Sequence, residues 1–137
     1  MSNSILDIKK ILSEYSKDIQ NEISEEAIRI GKNGANELKH TSPKKSGKYA
    51  RSWTSQVEKT FEGINVTIHN KKAYQLTHLL EHSHLLRNGT KSKPISHIYP
   101  VEQKSIKEFE SKVDEIIGGT QWHIHKYLIY WIHWISL

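Results

Sequence analysis

"SWTSQVEKTFEGINVTIHN", residues 52–70, is the stretch of sequence that decides the fold. Its second half alternates apolar and polar residues, which is the two-residue period of a strand with one buried face. The apolar members of that half are Ile64, Val66 and Ile68. Its first half is also rich in residues that favour strands, and only Glu62 and Gly63 separate the two halves. The stretch therefore predicts an antiparallel hairpin with one apolar face that other elements must cover.

A long amphipathic helix is predicted on the N-terminal side of the hairpin. From Ile5 to Ile23 apolar residues recur every three or four positions, with charged residues between them, and Ser4 is placed to cap the first turn. Gly31 and Gly34 then weaken the pattern, and "TSPKKSG" ends it, because proline disfavours helix before it and glycine permits a turn.

Two further helices are predicted on the C-terminal side. The first covers about residues 73–86, and a loop and a short extended piece, "HIYP", follow it. Pro100 suits the first turn of the last helix, which Gly118 and Gly119 close. The buried stripe of this last helix is predicted to consist of Ile106, Phe109, Val113 and Ile116.

These elements predict an α+β fold in which a long N-terminal helix accompanies a small antiparallel β-sheet built on a hairpin, covered by two further helices. We expect residues 1–119 to form a single domain, since 137 residues suffice for one core. Residues 120–137 are expected to be an aromatic-rich C-terminal extension.

That extension, "TQWHIHKYLIYWIHWISL", holds three of the four tryptophans. As a helix it would span about 26 Å, close to the hydrocarbon thickness of a bilayer, about 30 Å. Three histidines and a lysine within it disfavour a membrane span, so we expect no membrane contact. The alternatives are packing on the domain, packing on a neighbouring subunit, or a stray extension.

Composition excludes several classes of site. The chain has no cysteine, which excludes disulfides, thiolate zinc sites and cysteine nucleophiles. The N-terminus lacks the apolar stretch of a signal peptide, so folding in the cytoplasm is expected. Without a glycine-rich phosphate loop, a Ser-His-Asp order or a paired-carboxylate motif, the sequence predicts a protein that is not an enzyme, with no catalytic residue and no cofactor.

The net charge of +5 is distributed unevenly. Residues 39–51 carry five lysines or arginines, and residues 87–93 carry three, with no acid in either segment. By contrast, residues 1–30 hold six acids against four bases. Basic loops of this kind are either simply solvated or neutralise phosphates of a nucleic acid.

A possible zinc motif, H-x-x-E-H, is formed by His78, Glu81 and His82. On a helix the two histidines would share a face and could hold one metal ion, with the glutamate as a base. His84 points to another side of such a helix, so no third ligand is fixed. We favour the alternative that the histidines pack or form hydrogen bonds, and we predict no metal site. Similarly, Trp53 and Tyr49 are predicted to pack in the core rather than to stack on bases.

Three ordered blocks carry a resemblance to a known family. "TSPKKSGKYARSW" (41–53), "HNKKAYQLTHLLEHSHLLRNG" (69–89) and "KPISHIYPVEQKSIKEFE" (93–110) resemble the gene-product-ten-like family of tail-completion, or head-tail joining, proteins of long-tailed bacteriophages. The positions that match the family pattern are Ser42, Pro43, Gly47, Tyr49, Tyr74, Leu76, Leu79, Leu80, Glu81, His84, Arg87, Asn88, Gly89, His97, Ile98 and Pro100. In this pattern His82 occupies a position that accepts large apolar residues, which weakens the zinc interpretation.

The resemblance implies a non-enzymatic structural protein of the virion neck, made in the host cytoplasm. Such proteins assemble as homo-oligomeric rings, commonly hexameric, between the head-completion or connector proteins and the tail tube or tail terminator, and genomic DNA passes through the lumen. The residues expected to contact a partner or DNA are Lys44, Lys45, Lys48, Arg87 and Lys91. The alternative functions are a small, basic, non-specific nucleic-acid-binding protein and a zinc hydrolase.

Overall fold

A computed structural model describes residues 2–118 and confirms the predicted α+β fold. The elements of this range are α1 (Ser2–Thr41), α2 (Lys48–Arg51), β1 (Trp53–Thr60), β2 (Gly63–Asn70), α3 (Leu76–Glu81) and α4 (Ile98–Ile116). Their order is the predicted one, with the single turn α2 added between the first helix and the hairpin. The C-terminal extension, for which packing was one predicted alternative, lies outside the described residues.

The hairpin forms as predicted. β1 pairs with β2 in antiparallel register, from Trp53 opposite Asn70 to Thr60 opposite Gly63. The connection therefore consists of residues 61–62, and Gly63, which was predicted to belong to it, is the first residue of β2. The alternation also holds, because Val66 and Ile68 are buried.

α1 covers one face of the hairpin and also packs along α4. The two glycines that weaken its pattern lie where the helix approaches β2 most closely. A Cβ atom on Gly31 would lie 2.5 Å from Val66 Cγ1, and one on Gly34 would lie 2.7 Å from Ile68 Cδ1. Glycine at these positions therefore permits the helix to lie directly on the strand.

The buried side of α4 is rotated relative to the prediction. Phe109 and Val113 are buried as expected, whereas Ile106 and Ile116 are only half-buried. The buried residues of the helix are Ile98, Val101, Ser105, Phe109 and Val113. The rotation follows from the contact with α1, where a Cβ on Gly34 would lie 3.3 Å from the small Ser105 hydroxyl.

The third helix is much shorter than the predicted 73–86. α3 ends at Glu81, and His82 has an extended backbone, with φ −116° and ψ 153°. Beyond it the chain turns back on itself, because Leu86 N–H donates to the Thr90 carbonyl at 2.7 Å. The Ser92 N–H donates to the His84 carbonyl at 2.8 Å, which closes residues 84–92 into a narrow loop.

The prediction of an extended piece at "HIYP" is also wrong, because α4 already begins at Ile98. Pro100 does lie in its first turn, as predicted. Gly118, with φ +85°, follows the C-terminal end of α4 in the left-handed conformation expected of a closing glycine. None of the helices within residues 2–118 has the length and apolar character needed to cross a membrane.

Among the side chains of α1 that the structure describes, those of the core lie in the second half of the helix. The buried residues begin at Ala27, and Ile23 packs partly against them. The side chains of residues 13–22 are exposed apart from Ile19, which is half-buried. Residues 13–22 therefore extend about 15 Å along the helix axis before the core begins.

Candidate functional site

Glu81 is the centre of a buried polar junction between α3 and α4. Its carboxylate Oε2 accepts hydrogen bonds from the N–H groups of His97, at 2.9 Å, and Ile98, at 3.0 Å. Its Oε1 accepts from the Tyr99 N–H at 3.0 Å and from the Ser96 hydroxyl at 2.9 Å. The first N–H groups of a helix have no partner within it, so this carboxylate from another element caps α4.

This arrangement controls the ionisation of Glu81. Burial favours the neutral carboxyl and by itself would raise the pKa of Glu81. The three backbone N–H groups and the Ser96 hydroxyl favour the carboxylate, and together they lower the pKa of Glu81 below its ordinary value. The junction therefore holds a negative charge at the positive end of α4.

His97 links this cap to the hairpin side of the core. Its Nδ1 lies 2.7 Å from the Ile95 carbonyl oxygen and 3.2 Å from Glu81 Oε2. Both oxygens only accept hydrogen bonds, so Nδ1 carries a hydrogen, and Nε2 lies 2.9 Å from the Tyr49 hydroxyl oxygen, within hydrogen-bond distance. Burial, and then the charge of Glu81, raise the pKa of Tyr49, which keeps the hydroxyl protonated as a donor.

The aromatic residues continue the network into the core, which confirms the prediction that they pack there. The Tyr49 and Trp53 rings meet edge to face, with centroids 5.7 Å apart. Trp53 is 1% exposed, and its Nε1 donates to the Ser42 hydroxyl oxygen at 2.8 Å. Four of the family-motif residues, Ser42, Tyr49, Glu81 and His97, therefore form one connected structure.

The zinc interpretation of the histidine motif does not fit this geometry. Glu81 is occupied by the cap, and α3 ends before His82, so His78 and His82 do not share a helical face. His84 packs within its own loop, with Nδ1 2.8 Å from the Ser92 hydroxyl oxygen. Across residues 2–118, no group of three or more potential ligands could hold a metal ion.

The remaining motif residues shape loops and a helix start. Gly47 has φ +76° immediately before α2, and Gly89 has φ +80° in the narrow loop. Asn88 Oδ1 accepts hydrogen bonds from the backbone N–H and the hydroxyl of Thr90, at 3.1 Å and 2.7 Å. Among the other motif positions, Pro43 follows α1, Leu80 lies on α3 beside the core and Pro100 lies in α4.

An open, basic cleft of about 320 Å³ lies beside α2 and the start of β1. Its lining residues are Lys39, Lys48, Arg51, Ser52, Trp53, Thr54, Lys71 and Lys72. Five of these are cations and none is an acid. Within the part of the chain that the structure describes, none of the five makes an ion pair.

Of the five predicted contact residues, only Lys48 lines this cleft. Lys44 and Lys45 are exposed between α1 and α2, and Arg87 and Lys91 are exposed on the narrow loop. Sequence reasoning missed Lys71 and Lys72 as neighbours of the first basic segment. The hairpin register contains the signal, because pairing Trp53 with Asn70 places residues 71–72 beside residues 48–52. The Lys71 N–H indeed donates to the Ser52 carbonyl at 2.8 Å.

The model of the HK97-gp10-like family, described as "Bacteriophage HK97-gp10, putative tail-component", matches residues 7–82. The chain belongs to this family. The match covers α1 from residue 7 onward, α2, the hairpin and α3, and the third block of the resemblance lies beyond it. As an HK97-gp10-like protein, it is a structural component of the bacteriophage tail and so of the virion. Neither the curated proteins nor the solved structures contain a match to the chain.

Proposed function

We propose that this HK97-gp10-like protein is a tail-completion, or head-tail joining, protein of the phage neck. It forms or docks onto a homo-oligomeric ring, hexameric in the virion, between the head-completion or connector protein and the tail tube or tail terminator. It acts by binding other proteins and carries out no catalysis. Assembly takes place in the host cytoplasm, and genomic DNA passes through the lumen of the ring.

The part of α1 before Ile23, which we call the projecting half, carries this proposal. The apolar stripe that is buried from Ala27 onward continues toward the N-terminus, where Tyr15 is 62% exposed. An isolated helix gains little stability from its own hydrogen bonds, and an amphipathic helix is stabilised mainly by packing its apolar face. An apolar stripe that continues through Ile19 and Tyr15 without a covering element among the described residues is what a subunit that packs against neighbours needs.

Three more large apolar side chains are exposed between residues 85 and 99. Leu85 is 71% exposed on the narrow loop, Ile95 is 48% exposed, and Tyr99 is 61% exposed in the first turn of α4. A neck protein contacts partners on more than one side, and these side chains, which lie outside α1, are available for a second contact.

The domain organisation fits the same role. We propose that residues 1–119 form the assembling domain and that residues 120–137 add interface area to it. The junction around Glu81 is a structural centre that fixes α4 and the narrow loop. Lys44, Lys45, Lys48, Arg87 and Lys91 are proposed contacts to an acidic neighbouring protein or to the DNA.

The test is complementation of a phage lysate that lacks this gene. Purified wild-type protein is added, and full heads joined to tails are counted by electron microscopy. A rise in joined particles is expected, and a Tyr15→Lys/Ile19→Lys variant should give no rise although it folds. Lys17→Ala, which changes another face of the same helix, should complement like the wild type. Folded wild-type protein that leaves heads and tails separate would contradict the proposal.

A further inference from the structure

The projecting half of α1 carries an acidic face beside its apolar stripe. Glu14, Asp18, Glu22 and Glu25 are spaced so that they fall within about 80° of one another around the helix. All four are exposed, and no ion pair to any of them occurs within residues 2–118. This acidic face is about 16 Å long and adjoins the stripe that contains Tyr15 and Ile19.

The basic cleft presents the opposite charge without a counter-charge of its own. Five cations converge there, from the end of α1, from α2 and from the segment that follows β2. Like charges held close together repel one another, and an anionic partner removes that cost. One chain therefore displays two unneutralised surfaces of opposite sign.

These two surfaces cannot meet within one molecule. Lys39 lies on the same continuous helix as the acidic face, 14 residues beyond Glu25 and 25 residues beyond Glu14. At 1.5 Å per residue, these separations are about 21 Å and about 38 Å along the axis. A continuous helix does not fold back on itself, so the acidic face can reach only the cleft of another molecule.

We propose that the acidic face of α1 in one copy docks into the basic cleft of the next copy. This inference rests on the proposed function and specifies which surfaces join the subunits. The contact is heterologous, because different surfaces meet, and repetition of a heterologous contact generates a ring when the rotation closes. Exposed ion pairs are individually weak, so the charges set orientation and register while the adjoining apolar stripe supplies buried area.

A nucleic-acid backbone is the other polyanion that a basic cleft could bind. The observations favour a second copy, because the described part of the chain displays four acids against the five cations of the cleft, and none of these nine residues makes an ion pair there. Both surfaces are also present at equal concentration wherever subunits assemble.

The experiment uses two charge-reversed full-length variants. One is Glu14→Lys/Asp18→Lys/Glu22→Lys, and the other is Lys48→Glu/Lys71→Glu/Lys72→Glu. Association is measured by sedimentation at an ionic strength of about 0.01 M, where the screening length is about 30 Å. Wild-type protein should associate, each variant alone should sediment as a monomer, and an equimolar mixture of the two should associate again. At about 1 M salt, where the screening length is about 3 Å, the association should weaken.

A matched control separates the cleft from net charge. Lys32→Glu/Lys59→Glu/Lys107→Glu changes the charge of the chain by the same amount at exposed residues outside the cleft lining and outside the proposed contacts, and it should associate like the wild type. Circular dichroism establishes that each variant folds. If a reversed variant does not fold, the neutral Glu14→Gln/Asp18→Asn/Glu22→Gln variant replaces it and should weaken association.

Three results would overturn the inference: a wild-type monomer at low salt, a mixture that stays monomeric, or a control variant that also dissociates. So would a cleft variant that assembles normally but loses salt-dependent retention of duplex DNA, because the cleft would then bind nucleic acid. Joining of heads to tails by the cleft variant would refute the docking contact and leave the neck function standing. Failure of the wild-type protein in that assay would instead refute the neck function.

Discussion

The two halves of α1 share one amphipathic pattern but have different surroundings. From Ile23 to Leu38 the apolar stripe is covered by the hairpin and α4, and Leu38 is 1% exposed. Before Ile23 the same pattern continues at Tyr15 and Ile19 without a covering element among the described residues. Periodicity thus predicts which face of a helix is to be buried, but not whether its partner lies in the same chain. We interpret the second half as the folding half and the first as the assembly half.

The largest expected difference between the halves is in the free energy of unfolding that is lost when an apolar residue of the stripe is truncated to alanine. Leu38→Ala should lower the free energy of unfolding by about 2–5 kcal/mol, because it opens a cavity in the core. Ile19→Ala, at the equivalent stripe position of the assembly half, should cost about 1 kcal/mol or less. Urea unfolding of the two variants measures this. Equal losses would show that residues 2–22 are already packed in the free protein.

The next largest effect concerns the cap that fixes α4 against the folding half. Glu81→Gln should lower the free energy of unfolding by about 2–3 kcal/mol at pH 7, because it removes a charge that accepts four hydrogen bonds. Glu115→Gln, at an exposed carboxylate whose pKa is also lowered, is the control and should have little effect.

The same variant should change the response to acid. The pKa of Glu81 is lower in the folded protein than its ordinary value of 4.5, so its contribution to stability is complete above that value. As the pH falls through the folded-state pKa, this contribution is lost. Unfolding measured between about pH 6 and pH 3 should therefore show a smaller acid-induced loss in Glu81→Gln than in the wild type. Parallel curves for the two proteins would contradict the role of the carboxylate as the cap.

How much the sequence could predict depends on whether a feature is local. The hairpin, the first helix and the position of Pro100 follow from patterns a few residues long, and all three are confirmed. The predicted end of the third helix and the extended piece predicted before the fourth are wrong for one reason. Glu81 binds the N–H groups of His97, Ile98 and Tyr99, which are 16 to 18 residues away, so α3 ends and α4 begins at a tertiary contact.

The candidate surfaces divide in the same way. A count of charges located the basic segment at residues 39–51 and the acid excess of residues 1–30. The count could not show that Lys71 and Lys72 lie beside the basic segment, because their position depends on the strand register. The sequence also favoured packing or hydrogen bonding for the motif histidines over a metal site, but it could not show that Glu81 caps α4, because that requires the tertiary contact.

A smaller effect on stability is expected at the glycine contact of the folding half. Gly31→Ala would place a methyl group 2.5 Å from Val66 Cγ1 and 2.8 Å from Ser55 Oγ, so side chains of both strands must move. Overpacking typically costs about 1–3 kcal/mol, and the gain in helix propensity offsets up to about 1 kcal/mol of it. We expect a net loss of about 1 kcal/mol. Ser16→Ala in the assembly half is the control and should be neutral or slightly stabilising by thermal melting.

The smallest effect on stability, and the sharpest contrast between the halves, is expected at Tyr15. Because its side chain is 62% exposed, Tyr15→Ala should change the free energy of unfolding by no more than about 0.5 kcal/mol. The same substitution should nevertheless reduce the number of heads joined to tails, because it removes an aromatic ring from the proposed interface. Tyr15→Phe keeps the ring and should join particles like the wild type. If Tyr15→Ala joins particles normally while Leu38→Ala fails only through instability, the projecting half would have no part in assembly, and the division of α1 into a folding half and an assembly half would be wrong.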